Sequence, residues 1–95
     1  MKIPQYAMDS VEGLKKWITT PECNIKAHFK EREPNETDLN CIRLVGHYGE
    51  VETIIADSVF ESYKNFISWT ESKNCPYKFK TTTKEDFKLI QNLRR

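Results

Sequence analysis

Two thiol–imidazole pairs stand out among the residues able to do chemistry: Cys23-x4-His28 and Cys41-x5-His47. Four such ligands brought together suit tetrahedral zinc, which takes cysteine sulfur and histidine nitrogen. Structural zinc sites favour tighter Cys-x2–4-Cys knuckles on turns, however, and these pairs fall along segments that read as strands. No metal site is therefore assigned. Cys41 and Cys75 are expected in the core as small hydrophobes and Cys23 in a loop. Acid–base chemistry finds little to work with. The two histidines are expected at the surface, where they can titrate near neutral pH. Glu50, Glu52, Asp57 and Glu61 are the carboxylates placed for a pair, but nothing around them points to the burial that raises a catalytic pKa. Gly46 and Gly49 lack the third glycine and the following Lys-Ser/Thr of a phosphate loop, and there is no nucleophile elbow. The expectation is a chain that is not an enzyme and takes no cofactor.

Charge offers more. Lys and Arg number 15 against 14 Asp and Glu, a net of +1, which is neither a uniformly basic binder nor an acidic mimic. The balance hides a segregation. Residues 35–70 hold only Arg43 and Lys64 against Glu36, Asp38, Glu50, Glu52, Asp57 and Glu61, whereas residues 71–95 are lysine-rich. The acidic set Glu36, Asp38, Glu50, Glu52 and Asp57 is the candidate surface for a protein partner, since complementary charge steers association. A second surface is basic: Lys26, His28, Lys30 and Arg32 in one outward row, joined by Lys78 and Lys80. It could hold the phosphates of a nucleic acid.

The elements expected to position these groups follow from hydrophobic period. Residues 9–20 read as a helix, with Asp9-Ser10-Val11-Glu12 at capping spacing and Val11, Leu14, Trp17 and Ile18 as its stripe. Residues 24–33 alternate, with Ile25, Ala27 and Phe29 on one side, as a half-buried strand does. Residues 34–38 read as a turn, 39–46 as a second strand and 50–56 as a third, with His47-Tyr48-Gly49 linking a hairpin. A second helix is expected over 58–72 behind the Ser58–Glu61 capping box. Tyr77–Thr81 alternates as a short fourth strand, and Thr83–Asp86 opens a last helix.

The order α-β-β-β-α-β-α predicts a single α+β domain over residues 1–95, an antiparallel three- to four-stranded sheet with helices on one face. No segment has the length and apolarity of a membrane span, and Met1-Lys2-Ile3-Pro4-Gln5-Tyr6 has no apolar run of an export signal. A reducing, cytoplasmic setting with three free thiols is the expectation. The α-β-β-β-α order over residues 9–72 resembles the double-stranded-RNA-binding domain, which bridges the major groove with lysines at the start of its second helix. Here that start carries Asp57 and Glu61, with Lys64 alone basic. The size and mixed architecture are also similar in style to small phage-encoded inhibitors such as anti-CRISPR proteins. That likeness implies a non-catalytic regulator or inhibitor that works by binding a protein. A nucleic-acid-binding module is the alternative, and a small zinc domain or enzyme the third reading.

Overall fold

The computed structural model describes residues 3–50, 55–80 and 82–94. Among them it holds five α-helices and no strand, which overturns the α+β sheet architecture. The first expected helix, 9–20, is shortened and preceded by a separate helix. Helix α1 spans Gln5–Asp9, Ser10 is extended, and α2 spans Val11–Trp17. Ser10 is the cap of α2: its hydroxyl accepts from the Gly13 amide at 3.1 Å, satisfying one of the orphan donors of a helix start. The Thr19 and Thr20 hydroxyls donate to the Lys16 and Trp17 carbonyls at 2.7 and 2.6 Å and close the other end.

The expected strand over 24–33 is instead a chain of turns around a short 3-10 segment, Lys26–Phe29. Ile25 and Phe29 are buried while Ala27, between them, is exposed. Two apolar residues four apart share one side of a helical turn, so a pattern that alternates in sequence is read out at helical spacing.

The expected second strand, 39–46, lies wholly inside α3, Glu36–Glu50, and so does the supposed hairpin link His47-Tyr48-Gly49. Asn35 starts α3. Its side-chain oxygen accepts from the Asp38 amide at 3.0 Å, while the Asp38 carboxylate accepts from the Asn35 amide at 2.9 Å. That reciprocal pair is a capping box written with Asn and Asp, and it converts the expected turn into a helix start. Helix α3 is the central rod: Leu39, Cys41, Ile42, Leu44 and Val45 are all buried, and α1, α2 and α5 pack around it. Its less buried residues, Asn40, Arg43 and Gly46, recur every three positions, but a seven-residue apolar run is too short to separate a helix from a strand by period alone.

The third expected strand, 50–56, falls mostly on residues 51–54, which lie outside the described residues. The long helix expected over 58–72 is a 3-10 turn, Asp57–Phe60, followed by α4, Tyr63–Thr70. Ser62, not Ser58, caps α4, accepting from the Asn65 amide at 3.1 Å. Residues 77–80 of the expected fourth strand run irregularly, and Thr81 lies outside the described residues. Helix α5, Lys84–Arg94, starts as expected, with Thr83 and Asp86 exchanging hydrogen bonds at 3.1 and 3.2 Å. Phe66 joins α4 to this end of the molecule: its ring meets Trp69, Phe79 and Phe87 at centroid distances of 6.2, 5.8 and 5.5 Å. Among the described residues no helix is long and apolar enough to cross a membrane.

Candidate functional site

The two capping boxes, Asn35–Asp38 and Thr83–Asp86, bring the starts of α3 and α5 to one place, and Arg32 sits between them. Its Nη1 donates to Asp38 Oδ2 at 2.6 Å and its Nη2 to Asp38 Oδ1 at 3.1 Å, a bidentate grip. Nη2 also lies 2.9 Å from His28 Nε2. A guanidinium only donates, so that ring nitrogen accepts and the imidazole carries its proton on Nδ1. The guanidinium lies over the Phe29 ring at 5.3 Å. The hydrogen bonds that Arg32 donates to Asp38 hold it protonated beyond its usual range, burial works against this, and the charges of Asp38, then Glu85 and Asp86 of α5, add to it. The two histidine–thiol pairs are not assembled. His28 belongs to Arg32, His47 is exposed near the end of α3, and Cys23 and Cys41 are buried in separate elements. Among the described residues no three potential metal ligands gather. Burial, then the nearby Asp86 and Asp38 carboxylates, pushes the Cys41 thiol well up. That keeps it a protonated core group and not a nucleophile.

Around the Arg32–Asp38 pair stands a rim of exposed carboxylates: Glu31, Glu33, Glu36 and Glu85. Lys15 approaches Glu33 at 3.6 Å and Glu12 at 3.7 Å, loose contacts that leave both glutamates largely in solvent. This rim is not the acidic set read from the sequence. Of that set Glu36 is exposed here, but Asp38 is wholly buried and occupied by Arg32 and Asn35. Asp57 is in the distant 3-10 turn, where it accepts from Arg94 Nη2 at 3.2 Å and from the Tyr48 hydroxyl. The side chain of Glu50 and the whole of Glu52 lie outside the described residues. Glu31, Glu33 and Glu85 were missed because their neighbourhood depends on α5 packing beside residue 32.

The basic row is likewise not a row. With no strand to carry it, Lys26 and Lys30 are exposed on the 3-10 turn, while His28 and Arg32 point into the cluster just described. Lys78 and Lys80 are exposed on the α4–α5 connection, and Lys78 Nζ donates to the Ser72 carbonyl at 3.1 Å. Every described arginine serves the interior. Arg43 donates to the Met8 and Asp9 carbonyls at 2.8 and 3.1 Å, placing a cation on the C-terminal end of α1. Arg94 stacks over Phe60 at 4.2 Å and Tyr48 at 5.1 Å. The described cations left at full exposure are all lysines.

Successive helix residues are about 100° apart, so in α5 Lys84 and Lys88, four apart, share an exposed stripe with exposed Glu85 beside it, while Asp86 and Phe87 are buried. No protein-family model, curated protein or solved structure matches this chain.

Proposed function

We propose that this chain is a small binding protein that regulates or inhibits another protein by docking the carboxylate rim Glu31, Glu33, Glu36 and Glu85 against a basic surface. One observation carries the reading. Arg32, the arginine inside the rim, is engaged through both terminal nitrogens by Asp38 and His28 and makes no ion pair within 4 Å with the rim, where the one such contact among the described residues is Lys15 to Glu33 at 3.6 Å. Such a surface attracts a positively charged partner and repels a negative one before contact. Glu36 and Glu85 stand in the first turns of α3 and α5, and Glu31 and Glu33 in the turn before α3.

The test is affinity capture from host extract after nuclease treatment, with the wild-type chain and a Glu33→Lys/Glu36→Lys/Glu85→Lys variant run in parallel. The reading expects one basic protein on the wild type and at least a tenfold loss on the variant. Equal recovery on both, or recovery that vanishes with nuclease, contradicts it.

A further inference from the structure

We infer that the lysine stripe of α5 and the lysines around it form a second binding surface, one that holds the phosphate backbone of a nucleic acid without reading its sequence. The aromatic cluster of α4 and α5 places the lysines. Tyr63 packs on Phe87 at 5.9 Å, and its hydroxyl donates to the Thr82 carbonyl at 2.8 Å. Phe79 and Phe87 both pack on Phe66. Three of these four rings have an exposed lysine as chain neighbour: Lys64 after Tyr63, Lys78 and Lys80 on either side of Phe79, and Lys88 after Phe87. Lys84 shares the α5 stripe with Lys88 one turn away. Rings anchored in one cluster therefore bring lysines from a helix, a connection and a second helix around the same end of the molecule. The carboxylate nearest in sequence, Glu85, is exposed beside the stripe, one turn from Lys88.

The residue types say how such a surface binds. Base edges are read by arginine forks and amide side chains in a groove, and all three described arginines already donate to acceptors of this chain. Stacking on bases needs open aromatic faces, and here the rings face one another. Lysine ammonium groups remain, point charges suited to phosphate oxygens. The expected complex is electrostatic, of the non-specific strength of roughly 0.1 mM to 1 μM at physiological salt, and dominated by counterion release. This surface is independent of the carboxylate rim, and either can fail without the other.

The experiment is fluorescence anisotropy of the full chain with a labelled 20-base-pair DNA duplex and a scrambled version of it, from 20 to 300 mM salt. The inference expects both duplexes to bind equally within about twofold. The logarithm of affinity should fall with the logarithm of salt, and the slope should lose about 0.9 for each lysine removed that contacts a phosphate. Lys80→Glu/Lys84→Glu/Lys88→Glu should weaken binding at least tenfold while circular dichroism shows unchanged helix. Lys26→Glu/Lys30→Glu, on the Arg32 side, should change binding less than threefold. No binding at 20 mM salt overturns the inference, as does loss through Lys26 and Lys30 instead. A polyglutamate peptide that binds as tightly as the duplex also overturns it, since the surface would then serve an acidic protein.

Discussion

Arg32 holds Asp38 through both carboxylate oxygens, at 2.6 and 3.1 Å, and Asp38 has no exposure to solvent. A buried charge without its partner is expensive, more so than the pair itself is stabilising. Replacing Arg32 by Ala strands the carboxylate at the start of α3 and should cost about 3–5 kcal/mol in urea unfolding. Lys at this position should recover only part of the loss, because an ammonium cannot make the bidentate contact. A loss below about 1 kcal/mol for Arg32→Ala would show that the pair is not what holds the α3–α5 junction.

Gly13 sits in α2 where alanine is normally favoured by about 1 kcal/mol. Here a Cβ would run into the backbone carbonyl of Tyr6 in α1, and backbone cannot yield as a flexible side chain does. Gly13→Ala should therefore destabilise the chain by about 1–3 kcal/mol, against its helix propensity. A raised melting temperature in this variant would mean that α1 and α2 are further apart than described.

Cys41 has no solvent exposure, and burial keeps its thiol protonated where a free thiol ionises. In the unfolded chain the proton leaves at lower pH, so rising pH pulls the equilibrium toward unfolding. Its contribution is fully present below about pH 8 and is lost progressively above about pH 9, at about 1 kcal/mol per pH unit. Stability measured from pH 8 to 10 should fall more steeply in the wild type than in Cys41→Ala. Identical slopes would contradict this. In native protein Cys41 should also resist a thiol reagent that labels it at once in denaturant.

The Arg94–Asp57 contact makes the opposite case. Asp57 keeps 73% of its side chain in solvent, so its charge is well screened, and Asp57→Asn should cost less than about 1 kcal/mol. Arg94→Ala should cost more than Asp57→Asn, because it also strips a guanidinium from the faces of Phe60 and Tyr48. Equal costs would reduce the site to its surface ion pair.

The starts of α2 and α5 were legible in this sequence, while that of α4 was placed at Ser58 and is capped by Ser62. Thr83–Asp86 opens α5 as its spacing says, and Ser10 caps a helix within one residue of the expected start. Interiors were not legible, for physical reasons. Leu39–Val45 has buried residues at 39, 41, 42, 44 and 45 with Asn40 and Arg43 between them, a run too short for period alone to separate helix from strand. Ile25 and Phe29 satisfy the alternating and the four-residue pattern equally, and only packing chooses. Asn35–Asp38 read as a turn because Asn and Asp serve both turns and caps. The candidate site suffered more than the fold. Once 24–46 ceased to be strands, His28 and Arg32 left the surface row. Asp38 became the internal partner of Arg32, and Glu85 arrived beside it from a helix more than forty positions along the chain.

Docking through the carboxylate rim is tested most directly by the association rate constant with the captured partner, followed by stopped flow from 20 to 500 mM salt. Steering by fixed charge acts on the approach more than on the bound complex. The account predicts that the rate falls at least tenfold across this range, and by a similar factor at low salt in Glu33→Lys/Glu36→Lys/Glu85→Lys, with dissociation changed far less. An association rate indifferent to both salt and the triple reversal would contradict it.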